Sequence, residues 1–132
     1  MTENPAQSPA PAELARALVE VIAENNGEDI HLLDLRGLSD IADWFVIANA
    51  KSRKHLRTLG QELIDKVREA NIGPFRAEGL NSESWIIIDL YDVVVHLFIP
   101  ERREYYALDD YWADAPREII DEELATTDTD DE

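Results

Sequence analysis

The residues of this chain best suited to chemistry gather in one apolar stretch, WIIIDLYDVVVHLF at residues 85–98, which carries Asp89, Asp92 and His96. Carboxylates near an imidazole can hold a hard divalent cation, and acidic pairs on a sheet serve metal-assisted nucleotidyl transfer. Set between Trp85 and Phe98, the same groups can instead rim a surface that docks another protein. The stretch reads as two strands around a turn. Side chains alternate across a strand, and opposed residues of an antiparallel pair share a face. With Leu90-Tyr91 as the loop, Asp89 faces Asp92. One face is then Ile86, Ile88, Val93, Val95, Leu97 and Ile99, wholly apolar and therefore the core side. The other is Trp85, Ile87, Asp89, Asp92, Val94, His96 and Phe98, so every polar group falls on one side together with both aromatics.

That mixed face admits three accounts. A solvated sheet face is common in antiparallel sheets, but it gives little reason to set Trp beside Phe beyond their strand propensity. A divalent metal between Asp89 and Asp92 would make a metal-dependent, nucleotidyltransferase-like enzyme. Against it, no glycine-rich loop is placed to cradle phosphates and no basic group lies in the segment. A protein-docking surface uses every residue: aromatic anchors desolvate on contact, and the carboxylates select a basic partner. Docking is the reading adopted, without a cofactor, metal or catalytic residue; the enzyme is the alternative.

Further along, Arg102, Arg103 and Tyr106 lie on the side of a last helix away from Leu108 and Trp112, and Arg103 and Tyr106 extend the docking surface, Arg and Tyr being common interface anchors. Trp112 itself fits the core better than a contact. Lys51, Arg53, Lys54, His55 and Arg57 cluster at a helix start, the unfavourable end for positive charge; they form a solvated helix end or meet phosphate or an acidic neighbour. His31 and Asp34 fall on opposite faces of a strand and imply no metal pair. Ser39, Ser52, Ser82 and Ser84 have no His-Asp arrangement nearby in sequence.

The elements that must position these groups follow from periodicity. Pro11 suits a first helical turn, and Leu14, Leu18, Val21 and Ile22 recur at helical spacing until Asn25-Asn26-Gly27. DIHLLDL (29–35) reads as a strand and WFVIANA (44–50) as a central one, apolar on both sides. Ser52 caps a long helix with the stripe Leu56, Leu59, Leu63, Val67 and Ala70. FRAEG (75–79) is an edge strand ahead of the hairpin. Pro100 starts a helix in which Tyr105, Leu108 and Trp112 share a face, ending before Pro116. The order α-β-β-α-β-β-β-α predicts a single α/β (α+β) domain, a mixed sheet of about five strands with three helices.

With 132 residues the chain suits one domain. Its domain is placed at 11–116, between an N-terminal arm (1–10) and an acidic tail (117–132), both expected to be disordered. The formal net charge of -17 argues against DNA, bare RNA or an anionic membrane as partner and for a basic protein. Without cysteine there is no disulfide, thiolate zinc site or thiol nucleophile. The N-terminus lacks the pattern of a signal peptide, and no apolar run approaches the ~20 residues of a membrane helix. A cytoplasmic location is expected.

The strings DLRGLSDIADWFVIANAKSRKH, WIIIDLYDVVVHLF and REYYALDDYW together resemble the ribosomal silencing factor family, also called Iojap-like, over residues 13–113. The shared pattern is a D-x-RGLS element, an ADxFVIA strand, a serine-arginine helix start, W-x3-D-x2-DVVVH and Y-x-L-x3-W in that order. Tyr91 departs from it, standing where the family commonly has glycine. The resemblance implies a nucleotidyltransferase-like fold without catalytic machinery. It also implies a translational repressor that binds the large ribosomal subunit through the basic ribosomal protein numbered fourteen and sterically blocks the small subunit from joining. The family's patterned surface positions fall on Trp85, Asp89, Asp92, His96, Phe98 and Tyr106. The aromatic face also offers a surface for a homodimer.

Overall fold

Proline at the first helical position, where its fixed φ and missing N–H cost nothing, opens α1 (Pro11–Glu24), which buries Leu14, Ala15, Leu18, Val19 and Ile22. The structure is a computed structural model and describes residues 10–82 and 84–120. After α1 come β1 (Glu28–Asp34), β2 (Trp44–Asn49), α2 (Arg53–Glu69), β3 (Arg76–Glu78), β4 (Trp85–Asp89) and β5 (Val93–Phe98). Two short helices, α3 (Pro100–Tyr106) and α4 (Leu108–Tyr111), and β6 (Arg117–Ile120) complete the described chain. The strands form a six-stranded sheet in the order β3-β4-β5-β2-β1-β6, with β3 and β6 at its edges. β2 and β5 run parallel, and every other neighbouring pair is antiparallel.

The expected central strand is central. All residues of β2 and of its partner β5 are buried, as apolar runs flanked on both faces require. One face of the sheet lies under α1 and α2, where Ile30, Leu32, Val46, Ile86, Ile88, Val95 and Leu97 meet Leu56, Leu59, Leu63 and Val67. Gly60 lets α2 come close: a Cβ there would sit 3.0 Å from the Cδ1 of Ile86. Ser52 caps α2, its Oγ accepting the His55 N–H at 3.0 Å. The His55 ring then accepts the Lys51 N–H at Nδ1 (2.9 Å) and donates from Nε2 to the Asn25 carbonyl (2.7 Å), tying the end of α1 to the start of α2. The opposite face carries a smaller cluster of Leu33, Leu35, Phe45, Ile47, Val94 and Phe98, with Leu108 and Trp112 packed against it.

Three expectations are corrected. The last helix breaks at Ala107, which adopts a left-handed φ of 53°, so Tyr105 does not join Leu108 and Trp112 but stands 72% exposed. The sheet gains a sixth strand: residues assigned to the acidic tail begin with β6, which pairs antiparallel with β1 from Leu33↔Arg117 to Ile30↔Ile120. Short, charged and dependent on a partner far away in sequence, β6 has little local signature. The rest of the tail and of the N-terminal arm lies outside the described residues, apart from Ala10, the N-cap of α1. Finally, Asp89 opposes Val94 rather than Asp92, in a ladder running from Trp85↔Phe98 through Ile87↔His96. The turn is Tyr91-Asp92, closed by the Leu90 N–H on the Val93 carbonyl at 2.9 Å. Tyr91 takes φ 73°, and the Asp89 carboxylate accepts its N–H at 2.8 Å, the local bond by which Asp stabilises turns. This register leaves each strand side chain on its expected face and moves Asp92 into the turn. Among the described residues no helix is long and apolar enough to cross a membrane.

Gly79 joins β3 to the loop before β4 at φ +82°, and a Cβ there would run into the Trp85 carbonyl oxygen. Gly79→Ala is expected to destabilise the fold by on the order of 1 to 3 kcal/mol, seen as a lower urea midpoint at unchanged m value.

Candidate protein-docking site

The entry into β4 is fixed by its own polar loop. The Ser82 Oγ accepts the backbone N–H groups of Ser84 (3.0 Å) and Trp85 (3.2 Å), while the Ile99 N–H donates to the Ser84 carbonyl (3.0 Å). Trp85 thereby sits at the start of the strand on the less covered face of the sheet. Its indole stacks on Phe98, the residue opposite in β5, at 5.0 Å between ring centroids. Tyr106 closes in from α3 at 4.4 Å. The indole Nε1–H donates to His96 Nδ1 at 3.2 Å, and His96 lies 4.6 Å from the Phe45 ring.

The residues expected to form a surface thus come together in two layers. Trp85, Ile87 and Asp89 are half-buried and Tyr106 is exposed. Beneath them Phe98 has no exposed area and His96 only 6%, so these two form the floor on which the outer aromatics rest. Asp92 is exposed in the turn beside Tyr91, itself 54% exposed. Asp89 pairs with Arg76 of β3 at 3.2 Å. With Asp89 held by Arg76 and the Tyr91 N–H, and opposed by Val94, the two carboxylates do not make the facing pair a shared metal would need. Among the described residues no three His, Asp or Glu side chains gather to hold an ion.

Arg103 belongs elsewhere. Expected at the docking surface, it turns inward from α3 and is buried. Its guanidinium donates to the Asp109 carboxylate (2.9 Å), the Asp29 carbonyl (2.6 Å) and Asn49 Oδ1 (3.1 Å). Burial of this charge is tolerable because a carboxylate and neutral acceptors meet it. Arg117 of β6 reaches the same Asp109 at 3.2 Å, and His31 stands 3.4 Å from it. Burial pushes the Asp109 carboxyl up, yet the Arg103 hydrogen bonds and the surrounding positive charges outweigh it and hold the group below its ordinary range. Burial, then Arg103, lowers His31. This network pins α3 and α4 to β1 and β6. Its bonded pairs lie up to 86 residues apart, and no local spacing betrays it.

Burial pushes the His96 imidazole down to about 4, against the weaker pull of the Asp89 charge. The floor of the site is therefore neutral at neutral pH, and negative charge is confined to its rim.

A family model described as "Ribosomal silencing factor during starvation" matches residues 7–132. The ribosomal silencing factor of Bacillus subtilis is 38% identical over 98 residues, 74% of this chain and 83% of that protein. A mouse protein named "Mitochondrial assembly of ribosomal large subunit protein 1" is 29% identical over 98 residues, 72% of this chain and 43% of its own length. A crystal structure of a Chromobacterium violaceum protein superposes with a TM-score of 0.76 at 28% identity, covering 80% of this chain and 88% of that one.

Two measurements test the buried ionic network and the floor. Arg103→Met leaves Asp109 without its main partner and is expected to lower stability by about 3 kcal/mol, read from urea unfolding. His96 takes up protons less readily folded than unfolded, so its contribution to stability is full above pH 6.5 and lost as pH falls through about 4. His31 acts in the same direction. Urea midpoints should climb across that window in the wild type and climb less in His96→Leu.

Proposed function

Because this chain belongs to the ribosomal silencing factor family, we propose that it represses translation by docking on the large ribosomal subunit and sterically preventing the small subunit from joining. The observation that carries this reading is the aromatic pair Trp85–Tyr106, standing over a buried floor on a sheet face that the chain's own helices leave partly open. Aromatic side chains so placed are the usual anchors of protein interfaces. Asp89 and Asp92 at the margin, in a chain of net charge -17, favour a cationic protein surface and oppose bare RNA. The ribosomal protein numbered fourteen, which is basic, is the partner assigned. Trp85, Tyr106, Asp89 and Asp92 make the contact, while Phe98 and His96 support it from below. The name of the mouse relative, which refers to the large subunit, supports the choice of subunit. Such a factor works by occupying space, needs no catalytic step and acts in the cytoplasm.

An interface of the standard class, about 800 Å² on each partner, suffices. The wild-type protein should cosediment with purified large subunits and not with small ones, and added salt should weaken the complex through screening. Trp85→Ala is expected to cost about 2 kcal/mol, roughly thirtyfold in affinity. Undiminished binding by Trp85→Ala would overturn the assigned face, and magnesium-dependent nucleotide turnover by the purified protein would overturn the non-enzymatic reading. If the free protein pairs with itself through this patch, Trp85→Ala should also abolish the pair.

A further inference from the structure

We infer that His96 is the positioning residue of the docking face: its Nδ1 holds the Trp85 indole in the orientation that a partner meets. The inference rests on the docking reading given above. Its starting point is the bond itself, from Trp85 Nε1–H to His96 Nδ1 at 3.2 Å. The indole nitrogen can only donate, so the Nδ1 that accepts from it carries no proton, and a neutral imidazole must carry its proton on Nε2. That Nε2 is the one buried side-chain polar atom without a hydrogen-bond partner among the described residues.

Packing alone does not explain such a residue. Position 96 lies on a strand whose residues are all buried, among Phe45, Phe98 and Ile47. A leucine or phenylalanine would fill an apolar site of this kind and leave no donor unpaired. What an imidazole supplies here, and an apolar side chain does not, is an acceptor for Trp85. The diagonal placement makes this possible: Trp85 opposes Phe98, His96 opposes Ile87, and diagonal neighbours across an antiparallel pair remain within reach of long aromatic side chains.

Holding the indole by its nitrogen has two effects. Its hydrogen-bonding edge is committed to the floor, so what the half-buried ring offers a partner is hydrocarbon. This part of the patch therefore selects apolar groups on the partner and does not reward an acceptor aimed at the indole. The ring is also ordered before contact, between Phe98 and Tyr106, so less side-chain freedom is lost when the complex forms.

The test uses the full-length chain and purified large subunits. Trp85→Phe identifies the Trp85 indole N–H resonance, which in the wild type should exchange slowly with water. His96→Leu removes the acceptor. It should expose that N–H to rapid exchange and weaken binding about tenfold. His96→Asn carries Oδ1 the same number of bonds from Cβ as the histidine Nδ1, and should restore both slow exchange and affinity. A merely structural histidine predicts no such joint rescue.

Rapid exchange of the Trp85 N–H in the wild type overturns the inference directly, even where His96→Leu fails to fold. A folded His96→Leu that binds as well as wild type while Trp85→Ala is impaired overturns the inference alone. Undiminished binding by Trp85→Ala overturns the docking reading first, and the inference with it.

Discussion

A sheet whose central strands are apolar on both sides must keep both faces from water, and this chain has full-length helices for only one of them. α1 and α2, of 14 and 17 residues, cover the first face. The second has α3 and α4, of 7 and 4 residues. At the centre this is enough, because β2 and β5 are apolar on both sides and are wholly buried. Toward β4 the cover gives out. Trp85, Ile87 and Asp89 alternate with the buried Ile86 and Ile88 and remain half-exposed. The indole of Trp85 lies over Phe98 where a longer helix would otherwise have packed, so it completes the core and forms its boundary with solvent at once.

The position of α3 matters for the same reason. This helix brings Tyr106 to the indole, and a helix of two turns has little stability of its own. It is held by Arg103, which reaches carboxylate, carbonyl and amide acceptors on other elements. The ionic network beside β1 and β6 thus supports the aromatic patch without being part of it. Arg103 looks like a surface anchor in the sequence because long-range acceptors are invisible there, whereas the exposed residue is its neighbour Arg102, which lies over Tyr105 at 5.5 Å.

How much was legible depends on how local each signal is. The period-2 pattern of residues 85–98 sorted the two faces correctly, because parity survives an error in the turn. The turn itself was misplaced, since the backbone conformation of Tyr91 rests on a side-chain bond from Asp89. The periodicity of α1 and α2, the capping Ser52 and the doubly apolar β2 are local signals, and the stripes differ only in detail: Val21 is half-buried and Ala70 lies exposed at the C-cap of α2. The break at Ala107 has no glycine or proline to announce it, and β6 exists through its pairing with β1. Within the site, alternation grouped Trp85, His96 and Phe98, but depth could not be read: only the covering by Trp85 and its neighbours makes His96 and Phe98 a floor.

Both rims of the sheet end in short strands with ionised side chains. Arg76 and Glu78 are exposed along β3, and Glu118 of β6 is paired with Arg16 at 2.8 Å. A foreign strand annealing to either rim would crowd those charges and strip their water. Runaway polymerisation through backbone pairing is thereby discouraged in a molecule rich in valine and isoleucine.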